Sequence, residues 1–314
     1  MHAYETVRSR AGLFAMRHKC LVELSGADAQ KLVETLLCGD VRDMSVGQER
    51  FSPMLNLQGG IMDAVQVLHP AQNNYRLIIN RICHEKDLRH IRREAEGDVT
   101  ITDLDGSDVL LLILGPASAL FLGAEPKEGE VIVETEVCGI RCTTCRMPRF
   151  GMDGFFLIAR EQDELALIHA LGECGVPLCT HTLLDTLMLE AGMPVYGREL
   201  DDTLNPLETG LATRVRIERQ GFIGREALIA AGEPRRMLVG LVLDRFGAEY
   251  GLPVVHHGTH VGYVTGARYC PGLGKFAAMA LVEKPYRDVG TKLSVETSDG
   301  LIEGVVTALP LVKE

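Results

Sequence analysis

The texture of the chain changes once, at Gly232-Glu233-Pro234, and this constrains the fold more than any other feature. Beyond it, Met237–Leu243, Pro253–His256, His260–Thr265, Phe276–Val282, Lys292–Thr297 and Leu301–Leu309 all read as short strands. Gly and Pro punctuate them, and no long helical pattern intervenes. Strands with no helix to cover them must bury their apolar faces against one another, and closure removes the exposed edges. The predicted boundary lies near residue 233, with residues 233–314 forming a small C-terminal β-barrel.

Residues 1–232 mix both periodicities. Ala29, Leu32, Val33, Leu36 and Leu37 fall at helical spacing within Ser25–Gly39, with Ser25 or Asp28 near the start and Gly39 as a stop signal. Further helices are predicted over His84–Ala95, Asp163–Cys174 and Thr180–Met193. Strand-like runs cover Phe51–Leu57, Ile61–Leu68, Tyr75–Asn80, Asp108–Leu114 and Phe155–Ala159. A chain of 314 residues needs two or three packed units. The net charge of -11 argues against a nucleic-acid backbone or an anionic membrane as main partner. Met1–Arg10 has no signal-like apolar region, and no apolar run approaches the roughly 20 residues that span a bilayer. A cytoplasmic protein is expected, its nine scattered cysteines reduced.

Two carboxylates look out of place. Gly59-Gly60 suits a hairpin turn, and period two in the following strand puts Ile61, Asp63, Val65 and Val67 on one face. A carboxylate among aliphatic neighbours must find donors or take up a proton. Asp63 is then either a strand-start residue bonding a turn amide or a carboxylate aimed at a ligand nitrogen. Glu190 follows Leu183, Leu184 and Leu187 on a strongly apolar helix, at or beside the inner stripe. A lone helical Glu ordinarily faces solvent.

Several motifs, in order along the chain, resemble the glycine-cleavage T-protein family. They are Leu55-Asn-Leu-Gln-Gly-Gly-Ile-Met-Asp63, Glu85-Lys-Asp-Leu88, Leu189-Glu-Ala-Gly-Met-Pro-Val-Tyr-Gly197, Glu199-Leu-Asp201, Asn205-Pro-Leu-Glu208, Gly221-Phe-Ile-Gly-Arg-Glu-Ala-Leu228 and Pro271-Gly-Leu-Gly-Lys275. The resemblance implies an α+β, T-protein-like three-domain ring: two interleaved α+β subdomains over residues 1–232, plus the barrel. It implies a tetrahydrofolate-dependent one-carbon transferase of the methyl or aminomethyl class, similar to the family's demethylases. Asp63 matches the family's catalytic Asp near folate N5, and Glu190 the Glu that holds the pterin edge. A carboxylate suits that edge because it can accept two parallel N–H bonds. Asn80, Met62, Tyr196 and, counting without a gap, Arg219 are the further folate contacts implied. The implied donor is a small methylated molecule or a lipoyl-carrier protein.

Departures gather where a donor would sit. The family's Asp-x-Ser-His is replaced by Ala15-Met-Arg-His18, its second Asp after Gly-Gly by Ala64, and its Tyr-rich strand by Arg149-Phe-Gly-Met-Asp-Gly154. The chain has no Trp. The alternatives are a non-catalytic folate-binding protein of the iron–sulfur maintenance branch or a subunit of a larger demethylase. The first is marked by a Cys in the stretch that here reads Gln220–Glu226, which has none. Cys138, Cys142 and Cys145 have the spacing of an iron–sulfur motif. A strand would turn Cys142 and Cys145 to opposite faces, so no metal is expected. His256, His257 and His260 read as a surface turn.

Overall fold

The structure is a computed structural model that describes residues 2–122 and 131–312. Its N-terminal part contains α1 (His2–Ser9), β1 (Gly12–Ala15), β2 (Lys19–Ser25), α2 (Ala29–Leu36), β3 (Glu49–Leu55), β4 (Ile61–Ala71), β5 (Asn74–Asn80), α3 (His84–Glu94) and β6 (Thr100–Asp103). Then come β7 (Asp108–Leu114), β8 (Ile132–Val137), β9 (Ile140–Arg146), β10 (Gly154–Arg160), α4 (Glu164–Glu173), α5 (His181–Glu190) and α6 (Arg225–Ala231). The barrel strands are β11 (Arg236–Leu243), β12 (Pro253–His256), β13 (Thr259–Cys270), β14 (Lys275–Glu283), β15 (Lys292–Thr297) and β16 (Gly300–Thr307).

The first sheet has the order β3-β4-β5-β2-β6 and the second β1-β7-β10-β9-β8. Because β1 pairs with β7 while β2 to β6 build the other sheet, the two α+β units are interleaved. The first sheet packs Val22, Leu24, Val65 and Val67 against Leu32 and Leu36 of α2 and Leu88 and Ile91 of α3. Its other face meets the second sheet through Leu21, Leu68 and Ile78 against Phe14, Leu112 and Phe156. The far face of the second sheet is covered by Leu167 and Leu171 of α4. This explains the unbroken apolar run in β7. Leu110, Leu112 and Leu114 face the first sheet, while Leu111 and Ile113 face α4. A strand buried on both sides has no polar face to show.

The six barrel strands close in the order β11-β14-β13-β12-β15-β16, with β16 pairing back to β11. Val239, Leu241, Val254, Val264, Ala280 and Val295 fill the interior. The end of α5 docks on the barrel through Leu189, which packs with Cys270, Ala277, Met279 and Leu311. Thr180 caps α5 by accepting the Leu183 amide at 3.4 Å, and Gly192, at φ 64°, takes the chain out of it. Among the described residues no helix is long and apolar enough to cross a membrane.

Candidate active site around a buried carboxylate

The β3–β4 hairpin sets Asp63. Asn56 Oδ1 accepts the amides of Gln58 and Gly60, each at 2.9 Å. The Ile61 amide is shared between the carbonyls of Leu204, at 2.9 Å, and Asp201, at 3.1 Å. The turn is thereby pressed onto the 201–204 loop. A Cβ on Gly60 would lie 1.8 Å from the Asp202 carbonyl oxygen, so only glycine fits.

Just past the turn the register slips: Leu55 faces Ile61 and Met54 faces Asp63, leaving Met62 as an extra, bulged residue. This corrects the face read from period two. Ile61 packs with Leu55 and Leu200, while Val65 and Val67 join the core under α2 and α3. Met62 is 8% exposed and packs in that same core. Asp63 opens the regular strand after the bulge.

Asp63 is fully buried. Its Oδ1 accepts the Ala64 amide at 2.7 Å and the Asn80 side-chain amide; its Oδ2 accepts the Asn80 backbone amide at 2.8 Å. Lys19, opposite Asn80 in the β2–β5 register, donates Nζ to Asn80 Oδ1 at 2.7 Å. Burial pulls the Lys19 ammonium below the usual lysine range, and Asp63 opposes that pull.

The helical end of α3 closes the other side. The acceptor atoms of Asp63, Cys83 and Asp87 all lie within 4.8 Å of one another, and all three residues are buried. Burial first, then Asp63, pushes the Asp87 carboxyl up to about 10. Burial likewise pushes the Cys83 thiol up to about 12. Cys83 also meets the phenol of Tyr196, which burial holds above the usual tyrosine range. Lys86 Nζ donates to the Tyr196 hydroxyl at 2.5 Å and to Asp202 at 3.0 Å, and the hydroxyl reaches Asp202 at 3.2 Å.

The structure thus brings Asp63, Asn80 and Tyr196 into one cluster and holds the remaining candidates by other contacts. Glu190 is fully buried, unlike an ordinary helical Glu. Its Oε2 accepts Tyr4 Oη at 2.8 Å and Arg8 Nη2 at 2.9 Å, and its Oε1 accepts the Gly272 amide at 2.8 Å. α1, α5 and the barrel turn therefore meet at one carboxylate. Both lone pairs of Oε2 are engaged, so one direction on Oε1 remains rather than the two parallel acceptors of a pterin clamp. Arg219 Nη1 donates to the Glu34 carbonyl at 2.7 Å and Nη2 to the Leu37 carbonyl, satisfying the open C-terminus of α2.

Sequence reasoning gave no role to Asp87, Cys83 or Lys19. A signal existed for the first two: Cys83, just before α3, and Asp87 and Ile91 within it recur every four residues on its buried side. Arg149, known only as a departure, donates to Gln66 Oε1 at 3.1 Å, and its buried Nε has no partner. Cys142 and Cys145 pack into different cores, below α4 and between the sheets. A groove of about 680 Å³ on the barrel, between Leu243, Tyr269 and Val305, takes in Gly274 and Lys275 of the Pro271–Lys275 turn but neither Asp63 nor its cluster.

Comparison with known proteins agrees with this geometry. Residues 2–219 match the model of the GCVT N-terminal domain, and residues 236–313 that of the glycine cleavage T-protein C-terminal barrel domain. The chain is 31% identical to an aminomethyltransferase of Clostridium botulinum (strain Okra / Type B1), covering 94% of this chain and 84% of that one. It is 30% identical to the aminomethyltransferase of Bacillus subtilis (strain 168), covering 99% and 90%. The crystal structure of glycine cleavage system aminomethyltransferase T from Bartonella henselae superposes with a TM-score of 0.91 at 25% identity, over 99% of this chain and 89% of that one. With both domain models matched in order and the fold shared end to end, the chain belongs to the glycine-cleavage T-protein family.

Proposed function

We propose that the protein is a folate-dependent one-carbon transferase that moves an aminomethyl or methyl group between a donor and N5 of tetrahydrofolate. The observation that carries the reading is the fully buried Asp63 carboxylate, held by amide donors from Ala64 and Asn80 at the head of a bulged strand. Tetrahydrofolate supplies the amine nitrogen to which the one-carbon unit is joined. Asp63 supplies a fixed negative charge, placed before the reaction begins, for the positive charge that develops as the unit changes hands. The surrounding protein excludes water, so that charge acts at low dielectric. Tyr196 and Asn80 line the same cluster. Glu190 offers Oε1 to a pterin N–H and lets the Tyr4 hydroxyl yield its place on Oε2. Met62 contributes apolar contact from the bulge, and Arg219 supports the wall by holding α2.

The departures at Ala15, Ala64 and Arg149 favour a donor other than the family's usual one, so the donor is to be screened. The candidates are an aminomethyl-loaded lipoyl carrier protein and a panel of N-, S- and O-methyl compounds, with methylene- and methyl-folate read by mass spectrometry. Asp63→Asn keeps shape but removes charge. It is expected to lower turnover at least about a hundredfold while changing folate affinity much less. Unchanged turnover in this variant would overturn the reading.

A further inference from the structure

Asp63 and Asp87 are buried side by side, and the protein treats them unequally. Three N–H groups point at Asp63: the Ala64 amide and both amides of Asn80. Both oxygens of Asp87 are buried and receive no donor. The neighbouring charges are already engaged. Lys86 is held by Tyr196 and Asp202, and Lys19 by Asn80. Cys83, the third member of the trio, is a neutral thiol. Two like charges this close and this dry cannot both persist. Donors aimed at one carboxylate hold the charge there and leave the proton to the other.

We infer that Asp87 is a carboxylic acid in the resting protein and donates its proton as a hydrogen bond to Asp63, so that the pair carries one negative charge, located on Asp63. This rests on the proposed role of Asp63 only for its consequence: Asp87 is then a positioning residue for the charge used in transfer. The upward displacement of its carboxyl, caused by burial and by Asp63, agrees with this.

The direct test is infrared spectroscopy of the full chain, wild type minus Asp87→Asn, and it needs neither folate nor turnover. A carboxylic-acid C=O band should be present at pH 7, shift in deuterium oxide and fade as pH rises through about 10. Only carboxylate bands at pH 7 would overturn the inference. So would a stoichiometric divalent cation in the purified protein, since it would displace the proton from the trio.

Stability against pH is a second readout. The folded carboxyl lies above its ordinary value of 3.8, so the folded chain binds the extra proton between there and about 10. Stability should therefore fall as pH rises across that window. Asp87→Asn takes up no proton, so its melting temperature should gain on wild type as pH rises. A constant difference counts against the inference.

Positioning itself is read from turnover. Asp87→Ala should lose about tenfold, the worth of one hydrogen bond to a charge. Asp87→Asn, which still donates, should restore most of it. Equal turnover in the two variants overturns the positioning role. A surviving infrared band beside an active Asp63→Asn would overturn the proposed function and leave the shared proton standing.

Discussion

Glu190 illustrates how far a single residue can depend on partners remote in sequence. Its carboxylate is completed by Tyr4, Arg8 and Gly272, two of them contributed by α1 and one by the barrel. Burial, together with Glu190, pushes the Tyr4 phenol up to about 12. Arg8→Ala would leave a buried carboxylate with two neutral donors. Arg8 keeps about a quarter of its side-chain surface in solvent, so the full penalty of an unpaired buried charge is tempered. A loss of about 1–3 kcal/mol is expected, read as a lower midpoint in urea with an unchanged slope. No loss would mean that water replaces the guanidinium. The burial of Glu190 was not legible in the sequence, because periodicity describes one helix and the burying groups come from elsewhere. The burial of Asp63 was legible, since it alternates with Val65 and Val67 along the strand, but that pattern left open whether it serves a turn or a ligand. Asp87 was half legible: its motif was noticed, but its place on the apolar stripe of α3 was not.

Among the elements, the β3–β4 hairpin has least room to vary. Gly60→Ala would drive a methyl into the Asp202 carbonyl, and neither backbone is the flexible end of a side chain. The turn must lift off the 201–204 loop. A destabilisation of about 1–3 kcal/mol is expected, together with a loss of turnover as Asp63 moves. Wild-type stability and turnover in this variant would show that the hairpin is not what sets Asp63. Sequence patterns located α2 to α5, the strands β3 to β5, β7 and β10, and the barrel strands. Of those that they missed, β2 is an apolar strand with Leu21, Val22 and Leu24 buried, whereas others had too little pattern. α1 buries only Tyr4 and Val7, and β6 buries none of its four residues. β8 and β9 are separated by a turn in which Cys138 adopts φ 52°, which no turn-forming dipeptide announces. The bulge at Met62 was invisible for a further reason: an extra residue shows only against the partner strand.

At the scale of the whole molecule, three units meet around the junction of α1, α5 and the barrel. Tetrahydrofolate bound among them should stabilise the folded state by mass action, by about 2.7 kcal/mol at a hundred times its dissociation constant. For a chain of this size that corresponds to a rise of several degrees in melting temperature. A melting curve unmoved by saturating tetrahydrofolate, with calorimetry equally silent, would count against folate as the substrate. The barrel was readable because its strands repeat within a short stretch. The interleaving of the two α+β units was given only by the family resemblance, since hydrophobic pattern says nothing about which sheet a strand joins.

That interleaving orders events in time. Gly12 finds its β-partner in Leu114, across the entire length of the first sheet. On the ribosome, β1 therefore emerges early and waits, while β2 to β6 can assemble and fold back behind it. Only when β7 appears is the start of the chain captured, and the first unit is then held at both ends like a loop drawn closed. Glu190 lies beyond β7 in the chain, so the Tyr4 and Arg8 contacts with it cannot form until still later in synthesis. Because Gly272 of the barrel also donates to Glu190, the junction between the three units cannot be complete before most of the barrel has been made.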